Sequence, residues 1–240
     1  TLIRECKEEL TIDIKEDISN IDLPIKFVTI NYGHDNNTDK NLKCLKMWLY
    51  EYWVKLVSLL KEHNIDCVQI GAGWSCRNIE GVKLNLVNKL TLEQSGEIMK
   101  RALFHIDIEG GLVIFAKHIN VKSVVLFTST DINQFSRAGN LNLGDTDCIA
   151  CSGSLNKNRL NTVLYAKKFP CRAKNIDGIN RCAKQLTPNF VIEKIENTII
   201  VIEDESGEDP DPDPDPDPDP DPDPDPDPDP DPDPDPDPDP

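Results

Sequence analysis

Apolar and polar positions follow two different periods along this chain. Residues 26–32, Lys-Phe-Val-Thr-Ile-Asn-Tyr, form an apolar run that stops at Gly33 and a polar loop over 33–43. A short β-branched run closed by glycine predicts a strand, and its loop is a candidate ligand contact. Trp48, Tyr52, Leu56, Leu59 and Leu60 then recur every three or four positions, which predicts a helix over 48–63. The run at 66–71, Asp-Cys-Val-Gln-Ile-Gly, predicts a second buried strand. The alternation continues with a short strand at 84–86, a helix over 92–102, a strand at 103–107, a helix over 111–119 and a strand at 122–128. Thr91 and Gln94, three residues apart, predict a capping box at the start of the second helix. The unalternating Ser-Val-Val-Leu-Phe at 123–127 suits a strand covered on both faces. Strands alternating with helices predict an α/β domain: a Rossmann-like parallel sheet over 25–131.

The regularity fails beyond Thr130. Residues 132–200 read as a polar, cysteine-bearing loop followed by a last helix from Pro188 to about residue 197, proline being acceptable in a first helical turn. Residues 1–24 read as a charged, weakly helical connector, and a start at Thr1 suggests the carboxyl half of something longer. Residues 201–240 end in Asp-Pro repeated sixteen times. Such a repeat buries no apolar surface and repels itself, so a disordered acidic spacer is expected.

That tail distorts the overall composition. The Asp-Pro repeat at 209–240 holds sixteen of the 43 acidic residues, so the rest of the chain carries 27 acidic against 26 basic residues, a net charge of −1 rather than −17. Without a basic excess, nucleic acid is an unfavoured partner. The sequence lacks the roughly 18 consecutive apolar residues of a membrane span, and it opens with no secretory leader, so a cytoplasmic location is expected.

Three groups of residues carry candidate chemistry. Cys148 and Cys151, two residues apart, are followed by Cys171 and Cys182. Four thiolates in this pattern can surround a tetrahedral ion and brace a segment that cannot order itself by apolar burial. Zinc and iron both suit four sulfurs, two disulfides or unconnected buried thiols are the alternatives, and a closed site of this kind is structural rather than catalytic. The second group is Glu109-Gly110-Gly111-Leu112 at a strand-to-helix junction. There, two residues without Cβ atoms let a ligand approach the backbone, and free N–H groups suit a phosphate. Glu109 is placed to bind ribose or sugar hydroxyls, although a Gly-Gly pair is also an ordinary tight turn. The third is Lys46, just before the first long helix, a candidate partner for a diphosphate at the carboxyl ends of the strands. His34, His63, His105 and His118 have no metal-ligand spacing.

In order, these pieces resemble the carboxyl-terminal, nucleotide-sugar-binding half of glycosyltransferase family 9, the heptosyltransferases of GT-B architecture. The resemblance runs from Lys26 to about Thr198. It rests on Lys46-Met47-Trp48 for a Lys-x-Trp at a helix start, on Asn88-Lys89-Leu90-Thr91-Leu92 for a Gly-Lys-Thr-Ser-Leu segment, on residues 109–116 for Asp-Thr/Ser-Gly-Leu/Pro-x-His-Leu-Ala, and on residues 126–130 for Leu-Phe-Gly-Pro-Thr. Glu109 stands where the family has aspartate, Ile114 where it has histidine, and Thr128-Ser129 where it has Gly-Pro. The Glu-Gly-Gly form and the cysteines look most like the branch that glycosylates autotransporter adhesins, in which four cysteines hold iron.

The resemblance implies a glycosyltransferase that takes a sugar from a nucleoside diphosphate, ADP-heptose foremost, to a protein or glycan hydroxyl without a catalytic metal. Lys46 would stabilise the leaving diphosphate, and Lys46, Lys89, Thr91, Glu109, Gly110, Gly111 and Leu112 would line the donor site. The base would come from an amino-terminal domain outside this sequence, and a homo-oligomer is compatible with this reading. Ile114 speaks for a rival: a metal-stapled interaction module that has lost donor binding. A Rossmann dehydrogenase with structural zinc fails for want of Gly-x-Gly-x-x-Gly after the first strand.

Overall fold

The computed structural model describes residues 11–33, 43–44, 46–73, 76–144, 165–166 and 181–205. It divides into units 1–201 and 202–240, and all described elements except the last turn of the final helix belong to the first. The elements are β1 (Phe27–Ile30), β2 (Lys43–Cys44), α1 (Tyr50–Glu62), β3 (Asp66–Gln69), β4 (Leu84–Asn85), α2 (Leu92–Arg101), β5 (His105–Ile108), α3 (Gly111–His118), β6 (Ser123–Phe127), α4 (Ile132–Phe135), β7 (Leu141–Gly144), β8 (Tyr165–Ala166), α5 (Arg181–Gln185) and α6 (Pro188–Glu205). Six strands form one sheet in the order β4-β3-β1-β5-β6-β7, every pair parallel, while β2 and β8 make a separate antiparallel pair. The α/β class and the parallel sheet are as expected from the alternating periods.

Alternate residues of the strands feed two main cores, with a small third cluster of Val113, Val125 and Phe127. Val28, Ile30, Ile106, Ile108, Val124 and Leu126 pack against Trp53, Leu56 and Leu60 of α1 and against Val191 and Ile195 of α6. On the other face Phe27, Val68 and Ile70 pack against Ile98 and Met99 of α2 and Ala116 of α3. Both faces are therefore covered, which suits the unalternating apolar run of β6 and the mostly apolar β1. The capping box forms as expected: Thr91 Oγ1 accepts from Gln94 N at 3.1 Å and Gln94 Oε1 accepts from Thr91 N at 3.1 Å.

The structure differs from the sequence reading in four places. Residues 11–25 contain no helix. They act as a strap, with Ile14 and Ile18 buried among α2 and α3 side chains and Ile12 N donating to His118 O at 2.7 Å. Ile14 and Ile18, four residues apart, reach one groove without forming a helix. The sheet does not end at β6, because β7 pairs with it in parallel. Its Leu-Asn-Leu-Gly lacks a β-branched residue, so its pattern gives no signal. α5 is short, and α6 continues to Glu205 rather than stopping near residue 197. Finally, the segment after residue 180 belongs to the main core: Ala183, Leu186, Val191, Ile192 and Ile195 share it with Trp48.

Candidate donor site at the switch point of the sheet

The strand order reverses between β1 and β5: the chain runs from β1 outward to β3 and β4, then crosses back to β5, β6 and β7 on the other side. In an open parallel sheet the crevice at that reversal, beyond the carboxyl ends of the strands, is where ligands bind. Two neighbouring strands there send their chains apart, leaving a gap that no crossover covers. Here the crevice is flanked by Asn31 and Gly33 after β1 and by Glu109-Gly110-Gly111 after β5.

Lys46 enters from the turn before α1 and forms an ion pair with the Glu109 carboxylate. Its Nζ also donates to the Glu109 carbonyl at 3.4 Å. The two side chains are only 11% and 13% exposed. Thr128, following β6, donates to the Lys46 carbonyl at 2.7 Å and so holds the turn that carries the amine. Trp48 fixes the same turn from the other side: its ring is buried, and Nε1 donates to Leu186 O at 2.8 Å.

Helix α3 starts at the crevice with Gly110 as N-cap and no side-chain cap. Its first N–H groups, from Gly111 onward, have no acceptor within the helix, and the helix dipole adds positive character there. A Cβ placed on Gly111 would meet nothing within 4 Å, and one on Gly110 would meet only Ile108 O, at 3.7 Å. Neither glycine needs a left-handed backbone. What they provide is open space beside the N–H groups, and Leu112 follows half-buried.

Sequence reasoning missed a buried pair beneath this opening. Asn31 Nδ2 donates to both Asp107 oxygens, at 3.2 and 3.0 Å, bridging β1 to β5 across the switch point. Asp107 Oδ1 also accepts from Ile108 N at 2.7 Å. These bonds fix the end of β5, and with it the start of the Glu109 turn. The available signal was a polar residue at the carboxyl end of each of two apolar runs.

Cys76, from the loop after β3, packs behind Asn31. Its thiol donates to Ala72 O at 3.2 Å, and a Cβ on Gly33 would stand 2.4 Å from its sulfur. Gly71, with φ of +126°, makes room for the Asn31 side chain. Burial, and then the nearby Asp107 charge, push the Cys76 thiol up to about 11. The native thiol therefore ionises later than an unfolded one, so the stability it contributes is present below pH 9 and is lost as pH climbs through 11. Native protein should resist iodoacetamide at Cys76 at pH 8 and react as pH approaches 11, read by mass spectrometry of the Cys76 peptide. Rapid alkylation at pH 8 would contradict this assignment.

Among the residues expected to line the site, the structure joins Lys46 to Glu109, which Gly110 and Gly111 follow in the chain. Lys89 and Thr91 lie past β4, two strands from β1. Lys89 Nζ donates to Asn85 O at 2.8 Å, and the Thr91 hydroxyl caps α2. Their local hydrogen bonds account for both without a ligand. Ile114 is 40% exposed on α3. Cys182 is buried on α5, whereas Cys148, Cys151 and Cys171 lie outside the described residues. Among the described residues, no group of three or more histidine, cysteine, aspartate or glutamate side chains is arranged to hold a metal ion.

No protein-family model matches the chain, and no characterised protein matches it in sequence. Solved structures do match it in shape. The iron-containing dodecameric glycosyltransferase TibC from enterotoxigenic E. coli superposes with a TM-score of 0.60 at 18% identity, over 81% of this chain and 50% of its own. In complex with ADP-D-β-D-heptose, TibC superposes at 0.56 and 19% identity, over 76% of this chain and 47% of its own. A glycosyl transferase family 9 protein from Veillonella parvula gives 0.55 at 13%, over 80% and 54%. The chain has a family 9 heptosyltransferase-like fold over part of its length. It spans about half the length of these neighbours. Its six-stranded sheet and flanking helices match GT-B glycosyltransferases. Among the described residues, no helix is long and apolar enough to cross a membrane.

Proposed function

We propose that this chain is the donor-binding half of a heptosyltransferase-like glycosyltransferase that takes its sugar from ADP-heptose or a related nucleotide sugar. The observation that carries this is the meeting of Lys46, Glu109 and the open amino end of α3 at the switch point. The amine and the helix N–H groups stabilise negative charge as it builds on the departing diphosphate, and the Glu109 carboxylate accepts from donor hydroxyls. Asn31, Asp107 and Thr128 hold those groups in place. The acceptor, a protein or glycan hydroxyl, and the carboxylate that deprotonates it belong to the other half of the enzyme.

In the same reading Cys148, Cys151, Cys171 and Cys182 bind structural iron or zinc. Cys182 suits that role because it is buried on a helix that belongs to the main core, so a metal there ties the cysteine-bearing segment to the domain. The metal contributes bracing, not a chemical step. The rival reading, an interaction module without donor binding, is favoured by Ile114, which offers a ligand no hydrogen bond.

Calorimetry with ADP and ADP-heptose on folded, metal-loaded protein separates the two. The donor reading expects binding of both; an interaction module shows no heat with either. Elemental analysis of the same preparation is expected to give one equivalent of zinc plus iron. Less than half an equivalent, with thiols oxidised in pairs, would favour disulfides instead.

A further inference from the structure

The amine that would meet a diphosphate is already engaged by an anion. Lys46 and Glu109 form a shielded pair, with little water left around either group. An incoming bare anion that takes Lys46 therefore either separates the pair, leaving a poorly hydrated carboxylate, or uses the amine's remaining N–H and sets a second negative charge beside Glu109. Removing the partner from a shielded ion pair leaves the remaining charge uncompensated, which is the costly part of the exchange. Asp107, the nearest other carboxylate along the strand, is committed to Asn31 and Ile108 N and cannot take over the role.

A ligand with hydroxyl groups next to its diphosphate meets a different balance. Its phosphate oxygens take Lys46 while its hydroxyls donate to Glu109, so both members of the pair are re-satisfied. The open space at Gly111, two residues after Glu109, leaves room for such a ligand to approach both groups together. We propose that Glu109 is a specificity-determining residue: the Lys46–Glu109 pair acts as an exchangeable latch that admits nucleoside diphosphates and their sugar esters and rejects inorganic pyrophosphate and phosphate. This inference rests on the donor-site reading and adds to it the means by which bare anions are excluded.

The test is calorimetry of the full chain with inorganic pyrophosphate, ADP and ADP-heptose, on wild type, Glu109→Gln and Glu109→Asp. Wild type is expected to prefer ADP-heptose to pyrophosphate. In Glu109→Gln the amine is released while the hydroxyl acceptor is weakened, so pyrophosphate affinity should rise about tenfold. ADP-heptose affinity should stay level or fall, and the preference should shrink at least about tenfold. Glu109→Asp keeps a carboxylate and should keep most of the preference. If Glu109→Gln does not fold by circular dichroism, Glu109→Ala is read the same way. An unchanged preference in the neutral variant, or an equal gain for all three ligands, overturns the latch while leaving the donor site standing. Absence of ADP and ADP-heptose binding in every protein overturns both.

Discussion

Lys46→Ala is expected to weaken ADP binding by about 2–5 kcal/mol, or roughly thirtyfold to several thousandfold. Two effects add. The amine that would contact the diphosphate is gone, and the Glu109 carboxylate, freed from its partner, now repels the ligand. The substitution also leaves a 13% exposed carboxylate unpaired, so some loss of stability is expected, reduced by the favourable field at the start of α3. The double variant Lys46→Ala/Glu109→Gln removes that complication: stability should return while ADP affinity does not. Calorimetry and urea melts on the same samples read the two quantities separately. ADP affinity within threefold of wild type in Lys46→Ala would remove the diphosphate site.

The expected elements that proved accurate share a physical cause. β1, β3 and β6 are buried on both faces, which favours their mostly apolar runs, whereas β5 alternates Ile106 and Ile108 with buried His105 and Asp107; α2 announces itself through a cap whose hydrogen bonds are local. Lys46, Glu109 and the glycines stand out in the sequence as candidates for a related reason, and the structure brings Lys46 and Glu109 together: charge or a missing side chain at the end of a strand has little to do in a core. β7 was not legible because its leucines and asparagine carry no strand pattern; β6 imposes the pairing. The strap at 11–25 was misread since its two buried isoleucines answer to a groove formed by residues far away in sequence. Asn31 and Asp107 could not be matched from sequence, because only the crossover from β4 to β5 makes their strands neighbours. Lys89 and Thr91 show the converse, since a motif-like segment can be satisfied by its own backbone.

The largest expected effect on stability lies at Trp48. Its side chain is buried, stands edge to face with Trp53 at 5.1 Å and Tyr52 at 5.5 Å, and donates to the Leu186 carbonyl between α5 and α6. Trp48→Ala therefore opens a cavity between α1 and the carboxyl-terminal helices and should cost about 3–5 kcal/mol, read as a lower urea midpoint with an unchanged slope. That is a large share of the roughly 5–15 kcal/mol by which a domain is stable. Trp48→Phe keeps most of the ring volume but strands the Leu186 carbonyl without its donor, and should cost about 1–3 kcal/mol. The ranking of the two variants separates packing from hydrogen bonding. Trp48 lies two residues from Lys46, so the same ring that joins the last helices to the core also holds the turn presenting the amine. Trp48→Phe should consequently weaken ADP binding at temperatures where the protein remains fully folded. A Trp48→Ala cost below about 1 kcal/mol, far under the usual range for a buried tryptophan, would mean that the carboxyl-terminal helices do not pack on this ring, and the anchoring of Lys46 through it would be lost.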